Sequence, residues 1–313
     1  MYRPGFARLV VAALIAGLAT AVNAGLVRPA PDDEELVPTG KGWGERPSAA
    51  GACRFFCGGW GQASSSTNGI SYHGGPLLLG TPNVYFIWYG NWTGNLAQTL
   101  LPALVQSMGG SPYFNINSTY FDGSKNHVTG FANYNGSAAD NYSQGAALSD
   151  AGVQRVVQHA INSGALPGDS NGVYFVLTSA DVNETSGFCT QYCGWHSRGS
   201  VGNMDIKYAF VGNPDRCPSA CEAQTIGPNG NAGADGMASI LSHELEEAIT
   251  DPDLNAWFDK RGMENADKCA WTFGSTTTLP SGAEYNMTLG GKHFLIQQNW
   301  VNASGGYCAK NYP

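Results

Sequence analysis

Residues 233–269 read GADGMASILSHELEEAITDPDLNAWFDKRGMENADKC, and the first half of this stretch has the pattern of a helix. His243 and Glu247 lie together beside its apolar stripe, because residues four apart share one side of a helix, and Glu244 falls within the span of the stripe. Glu246 points to the opposite side and is predicted to be solvated. The pattern therefore predicts a helix packed on a core. The apolar stripe consists of Met237, Ile240, Leu241, Leu245, Ala248 and Ile249.

The same helix carries an excess of negative charge. The macrodipole disfavours anions near a helix C-terminus, and like charges at i, i+3 or i, i+4 spacing cost roughly a few tenths of a kcal/mol per pair. The nearest basic residue is Lys260. A divalent metal ion would offset this charge. The acidic residues in and just after the second half of the helix are Glu244, Glu246, Glu247, Asp251 and Asp253.

The H-E-x-x-E sequence resembles the H-E-x-x-H motif that holds zinc in metallohydrolases. We predict that His243 and Glu247 are metal ligands and that Glu244 is the general base for metal-activated water. Glu264 follows Glu247 by seventeen residues, which suits a third ligand on the chain that returns after the helix.

The sequence does not decide the third ligand of this site, the identity of the metal ion or its role. Asp267 or Asp251 could replace Glu264 as a ligand. One imidazole and two carboxylates bring the formal charge of a zinc site near zero, so hydrolysis would be slow or the ion would be structural, and calcium or manganese could replace zinc. The motif also occurs by chance in acidic helices. In that case the Lys-Arg pair at 260–261 or backbone groups would neutralise the glutamates, and His243 would be an ordinary core histidine.

The N-terminus has the pattern of a secretory signal. Arg3 and Arg8 precede the apolar run 9–22, and small residues end at Ala24, so residues 1–24 are predicted to be a signal peptide and the mature chain to be secreted. No other stretch approaches the roughly 18 apolar residues of a membrane span. Asn-x-Ser/Thr sequons, some of them chance matches, predict a glycosylated surface and occur at Asn91, Asn117, Asn135, Asn141, Asn183, Asn286 and Asn302.

Charge excludes some partners. Without the signal peptide, the 16 basic residues fall to 14 against 24 acidic ones, a net charge of −10. Nucleic acid and anionic membranes are therefore poor partners for the mature chain.

The chain divides into an extension and one domain. Residues 25–73 contain prolines, an acidic run at 32–35 and a Ser/Gly-rich stretch at 62–69, which predicts a mostly irregular N-terminal extension, a candidate pro-segment. Residues 74–313 have the pattern of one α/β (α+β) domain. Within it, the acidic helix should pack on a mixed sheet in a zincin-like arrangement. The predicted strands are 82–89, 172–178, 206–211 and 293–301, and the predicted helices are 96–108 and one capped by Ser149.

All eight cysteines lie in the mature chain, and an even count in a secreted protein predicts disulfides. Spacing leaves their connectivity open. The expected pairing joins Cys189 and Cys193 to Cys217 and Cys221, Cys269 to Cys308, and Cys53 to Cys57, with a four-cysteine zinc site in residues 189–221 as the alternative.

His196 follows the second cysteine of FCTQYCGWH at 188–196. It could reach the predicted site as an oxyanion donor, but a histidine beside a disulfide is more often structural. The sequence has no G-x-S-x-G elbow and no P-loop, so serine hydrolase and nucleotide-binding functions have no support.

Six strings of sequence together resemble one family. They are YHGGPLLLG (72–80), NVYFIWYGNW (83–92), VLTSADV (176–182), FCTQYCGWH (188–196), YAFVGN (208–213) and PNGNAGADGMASILSHELEEA (228–248). The chain is similar over residues 72–308 to the phosphate-induced protein 1 family, whose plant members include EXORDIUM. Plant members also have H-E-L-x-E here, followed by an acidic segment that aligns with Glu264, Asp267 and Cys269.

The resemblance implies an extracellular protein of the apoplast and cell wall that is linked to growth and cell expansion. Two function classes follow. The first is a secreted zincin-like metallohydrolase, peptidase-like, with His243, Glu247 and Glu264 on zinc and Glu244 as base. The second is a non-enzymatic growth or wall-interaction protein with a structural or vestigial metal site. The expected form is a monomer, and the expected partner is an extracellular protein, peptide or cell-wall component.

Overall fold

The structure is a computed structural model that describes residues 36–41 and 69–313. Its helices are α1 (Ala97–Met108), α2 (Asp150–Asn162), α3 (Pro218–Cys221) and α4 (Ala232–Thr250), with 3₁₀ turns at Phe114–Thr119, Pro214–Arg216 and Asp267–Cys269. Its strands are β1 (Ser71–Tyr72), β2 (Asn83–Tyr89), β3 (Asn133–Asp140), β4 (Ala147–Leu148), β5 (Gly172–Thr178), β6 (Asn183–Glu184), β7 (Gly194–Val201), β8 (Met204–Val211), β9 (Trp257–Phe258), β10 (Thr277–Thr278), β11 (Glu284–Tyr285), β12 (Met287–Leu289), β13 (Lys292–Phe294), β14 (Asn299–Val301) and β15 (Tyr307–Ala309).

Five strands form the central sheet, in the order β3-β2-β5-β8-β7. Neighbouring strands from β3 to β8 are parallel, and β7 is the antiparallel hairpin partner of β8 at the edge. β2 and β5 are aromatic and β-branched and almost completely buried, as central strands covered on both faces should be. The predicted mixed sheet and its strands at 82–89, 172–178 and 206–211 are confirmed.

The helices cover both faces of this sheet, and β7 shows how they do so. A Cβ added to Gly194 would lie 2.6 Å from the side chain of Ile240 in α4, and one added to Gly199 would lie 2.5 Å from Gln154 in α2. Side chains alternate between faces along a strand, so these two positions face opposite sides. α4 and α2 therefore pack on opposite faces of the sheet.

α4 begins at a side-chain cap and is buried on every side. The Asn231 side chain accepts a hydrogen bond from the backbone N–H of Ala234 (2.9 Å), and Pro252 prevents the helix from continuing. The prediction that Glu246 is solvated is wrong, because its exposed fraction is 0%. The side of α4 opposite the sheet is covered by other parts of the chain, and the Tyr113 hydroxyl donates a hydrogen bond to Glu246 Oε2 (3.3 Å).

The predicted strand at 293–301 is also wrong. β13 pairs with β12, whereas β14 pairs with β15, so the segment belongs to two separate hairpins. Between them, side chains accept the backbone donors that a strand would use for pairing. Asn286 Oδ1 accepts from Ile296 N–H (2.9 Å), and Ser239 Oγ accepts from Gln297 N–H (3.1 Å).

Three disulfides join Cys189 to Cys217, Cys193 to Cys221 and Cys269 to Cys308. They match the expected pairing and exclude a four-cysteine zinc site. They are typical of proteins exported to an oxidising compartment. The predicted Cys53–Cys57 pair and the predicted signal peptide lie outside the described residues. Within 36–41 and 69–313, no helix has the length and hydropathy needed to cross a bilayer.

Two of the seven sequons are buried in the folded chain. The Asn117 side-chain amide donates to Phe114 O (3.1 Å), and that of Asn302 donates to Thr119 O (3.2 Å). Because neither amide reaches solvent, the folded structure has no room for a glycan at these two positions.

Candidate metal centre

The first part of the site joins α4 to the 3₁₀ turn that follows β9. His243 and Glu247 lie one helical turn apart on α4, and His243 Nε2 is 3.0 Å from Glu247 Oε1. Asp267 begins the 3₁₀ turn at Asp267–Cys269, and its Oδ1 is 3.4 Å from His243 Nε2. The backbone N–H of Asp267 also donates to Glu247 Oε1 (3.0 Å). One imidazole and two carboxylates therefore meet at a buried point.

The second part of the site comes from β7. His196 Nε2 is 3.2 Å from each carboxylate oxygen of Glu264 and 3.8 Å from Glu247 Oε2. Positions 194 and 196 of β7 face the same side of the sheet, the one that carries α4, because residues two apart in a strand share a face. Glu247 thus belongs to both parts, with Oε1 toward His243 and Oε2 toward His196.

These positions agree only in part with the predicted ligand set. His243 and Glu247 lie together as predicted, but Glu264 lies beside His196, and Asp267 has the place beside His243 that was predicted for Glu264. Asp251 has a different role, since its Oδ1 accepts hydrogen bonds from two backbone N–H groups of the turn after α4 (both 2.6 Å).

His196 is the residue that sequence reasoning left out of the ligand set. Its ring is completely buried, and within the described ranges only its Nε2 has hydrogen-bond partners, which are carboxylate oxygens of the site. The local signal was its place after a disulfide, which indicated a structural role. β7 pairs with β8 in a local hairpin, but the contact between His196 and Glu264 joins residues 68 positions apart and has no signal in local spacing.

The pairing of the glutamates with the basic residues at 260–261 does not occur. Lys260 and Arg261 are exposed, and the guanidinium of Arg261 lies 3.4 Å from Asp259 instead. Lys268 also pairs with Asp259 (3.3 Å). Within the described parts of the chain, the ion pairs of Glu247 and Glu264 are with histidines.

Glu244 lies next to the site and is not one of the clustered donors. Only 3% of it is exposed, and its Oε2 has no hydrogen-bond partner within the described residues. A Cβ at Gly194 would lie 3.0 Å from Glu244 Oε1, so the carboxylate faces β7 close to the strand position of His196. An unpaired buried carboxylate is costly unless it is protonated or faces a cation.

Burial controls the protonation of the cluster. It raises the pKa of Glu244 and of Glu264 well above the usual range, and nearby carboxylates add to this effect. Burial and then the charge of Asp267 raise the pKa of Glu247 to about 7. Burial lowers the pKa of His196 to about 3. Burial also lowers the pKa of His243, but neighbouring Glu247 and Asp267 outweigh it and raise that pKa well above normal.

The donor set fits a divalent cation. Two imidazole nitrogens and carboxylate oxygens from three residues are ligand types used by zinc and manganese, and all five side chains are buried. The buried Glu244 Oε2 atom, which has no hydrogen-bond partner within 36–41 and 69–313, fits a site that holds positive charge.

A short N-terminal segment covers this region. We name residues 36–41 the strap. Leu36 N–H donates to Lys260 O (3.0 Å), in the loop that leads to Glu264, and Gly40 O accepts from the backbone N–H of His196 (3.1 Å). Lys41 Nζ then donates to Asp150 Oδ2 (2.6 Å). The strap lies within the predicted extension and is irregular as predicted, but it is packed on the domain.

The chain is similar to the family that its sequence strings resemble and to several plant members of that family. The conserved region of the phosphate-induced protein 1 family matches residues 70–310. Protein EXORDIUM-like 5 of Arabidopsis thaliana is 31% identical over 280 residues, covering 76% of this chain and 77% of that protein. Protein EXORDIUM-like 3 of the same plant is 29% identical over 286 residues, covering 79% and 84%. Protein PHOSPHATE-INDUCED 1 of Nicotiana tabacum is 24% identical over 232 residues, covering 64% and 71%.

No solved structure matches this chain. The family assignment therefore rests on sequence, and the family match covers α1, α2, α4 and all the residues of the candidate metal centre. Because the conserved region matches residues 70–310, which is most of this chain, the chain belongs to the phosphate-induced protein 1 family.

Proposed function

We propose that this protein is an extracellular metal-dependent hydrolase that acts on peptide-like substrates. Zinc is the proposed ion, with manganese or calcium as the alternatives, and the chain would hold it through the clustered donors of α4, β7 and the 3₁₀ turn after β9. The observation that carries the proposal is Glu244, whose buried Oε2 has no hydrogen-bond partner in the described part of the chain and lies beside that cluster. A metal ion that only stabilises the fold does not require an unpaired carboxylate beside it, whereas metal-assisted hydrolysis requires a general base at that position.

In this proposal, one group of residues binds the metal ion and Glu244 acts as the general base. A bound divalent ion supplies Lewis acidity and water of lowered pKa. The clustered donors His243, His196, Glu247, Glu264 and Asp267 would hold the ion, and Glu244 would accept a proton from the attacking water. The raised pKa of Glu244, caused first by burial, favours proton uptake by this carboxylate.

The ligand charges make this a weak Lewis acid site. Three carboxylate ligands against one divalent ion leave a formal charge of −1, compared with +1 for two histidines and one glutamate. Water in such a site is less acidic, so the proposed hydrolysis is slow relative to that of a two-histidine, one-glutamate zinc hydrolase.

The test separates Glu244 from its neighbours on α4. Glu244→Gln should retain the metal and the fold while lowering peptide hydrolysis by roughly the hundredfold or more associated with loss of a general base. Glu246→Gln is the matched control, since Glu246 is equally buried on the same helix but contacts Tyr113 instead. Wild type and both variants are compared on a broad peptide library, with metal content measured in parallel. Metal-loaded wild type that cleaves no peptide above the Glu244→Gln background would contradict the hydrolase proposal.

Complete burial of the donors favours a second function. Each of the five clustered side chains is at most 5% exposed, and the strap lies against His196. The alternative is a non-enzymatic extracellular protein, monomeric and directed at cell-wall components, in which the ion only stabilises the fold. It predicts that chelation lowers the melting temperature and that Glu244→Gln changes neither metal content nor any binding activity.

A further inference from the structure

The two carboxylate oxygens of Glu247 face two different histidines. Oε1 is 3.0 Å from His243 Nε2, and Oε2 is 3.8 Å from His196 Nε2. His196 and His243 belong to separate groups of potential ligands, and Glu247 is common to both. A carboxylate that bridges two metal ions has the same arrangement, with one oxygen directed toward each group of ligands.

Each group is a complete three-donor set. One contains His243, Asp267 and Glu247, and the other contains His196, Glu264 and Glu247. Zinc–ligand distances of about 2.0–2.1 Å place tetrahedral ligands about 3.3 Å from each other. The observed separations of 3.0 and 3.4 Å around His243 and of 3.2 Å between His196 and Glu264 are close to that spacing, while His196 Nε2 and Glu247 Oε2 are 3.8 Å apart. Three protein donors is also the usual number at a catalytic metal site.

The charges balance for two ions and not for one. Glu244, Glu247, Glu264 and Asp267 are buried together, and the exposed basic residues at 260–261 do not neutralise them. With all four ionised, one divalent ion leaves a net charge of −2, whereas two divalent ions leave none. Among the residues that the structure describes, the buried Glu244 Oε2 atom has no hydrogen-bond partner, so the carboxylate adds negative charge beside the two donor sets without being a ligand.

We propose that the cluster holds two divalent ions, with Glu247 as the bridging ligand. This deepens the proposed function and rests on it. Pairs of ions about 3.5–4 Å apart occur in hydrolases, aminopeptidases among them. His196 and Glu264, which a site of the H-E-x-x-H kind does not require, acquire a function as the ligands of the second ion.

The first experiment counts ions in the full mature protein. The protein is stripped with chelator, reloaded with zinc, dialysed and analysed for metal and protein content. Wild type should retain two ions per chain, and His196→Ala and His243→Ala should each retain one. His159→Ala is the control, because its side chain is 62% exposed and far from these donors in the fold, and it should retain two.

The outcomes separate this inference from the proposed function. One ion in wild type overturns the two-ion inference and leaves the proposed function standing, whereas no ion overturns both. Two ions in both wild type and His196→Ala place the second ion elsewhere and overturn the inference. A second measurement needs no variant: wild type loaded with manganese should give the electron paramagnetic resonance spectrum of an exchange-coupled pair. The spectrum of isolated manganese at full loading would contradict the inference.

Discussion

Gly40 offers a direct way to lift the strap without changing any donor of the metal centre. Its φ is +66°, and an added Cβ would lie 2.1 Å from the carbonyl oxygen of His196. Contacts under about 3 Å are not tolerated by backbone atoms, so Gly40→Ala must displace the strap. The left-handed conformation costs an alanine about 1 kcal/mol, and loss of the hydrogen bond between Gly40 O and His196 N–H costs about 1 kcal/mol more.

Together these costs are about 2 kcal/mol, which is roughly a thirtyfold increase in the fraction of molecules with the strap open. If the strap controls access to the buried donors, zinc loss to excess chelator should accelerate by a similar factor in Gly40→Ala. Hydrogen exchange of the His196 amide, which the strap protects, should accelerate in parallel.

The control is Gly164→Ala at the end of α2. Its φ of +76° imposes a similar conformational cost, but no heavy atom lies within 4 Å of an added Cβ. This variant should lose zinc at the wild-type rate. Faster exchange of the His196 amide in Gly40→Ala with an unchanged rate of zinc loss would show that the strap moves without guarding the site, and the reasoning would be wrong.

Two further predictions concern buried carboxylates. Glu246→Lys should lower the free energy of unfolding by about 3 kcal/mol or more, because the position is completely buried. The controls Glu246→Gln and Glu284→Lys, the second at an exposed position, should stay within about 0.5 kcal/mol of wild type in urea unfolding. A Glu246→Lys variant as stable as wild type would contradict the burial of this residue. The pKa of Glu247 is about 7 in the folded protein and 4.5 in the unfolded chain. In the presence of chelator, the free energy of unfolding should therefore fall as the pH rises from 4.5 to 7. Relative to Glu247→Gln, wild type should therefore lose about 3 kcal/mol from pH 4.5 to 7, and parallel curves would contradict this pKa.

The sequence predicted the parts of the site that depend on local spacing. His243 and Glu247 are four residues apart on a helix, so their proximity follows from helix geometry alone. The central strands were equally predictable, since β2 and β5 are continuous apolar runs.

The errors arose where tertiary contacts decide. Glu246 lies opposite the apolar stripe of α4, so periodicity places it in solvent, but the chain around Tyr113 covers that side. His196 reaches Glu264 through tertiary packing of residues 68 positions apart, which local sequence spacing does not predict. The sequence left Glu264 and Asp267 open as the ligand beside His243, and the fold of the segment after β9 places Asp267 there.

The most direct test of the metal centre is an anomalous diffraction measurement on crystals of the zinc-loaded protein at the zinc absorption edge. If the clustered donors bind zinc as proposed, strong anomalous density should lie between α4, β7 and the 3₁₀ turn at Asp267–Cys269, next to His243, Glu247 and His196. Zinc density confined to exposed histidines such as His159, with none among the buried donors, would contradict it.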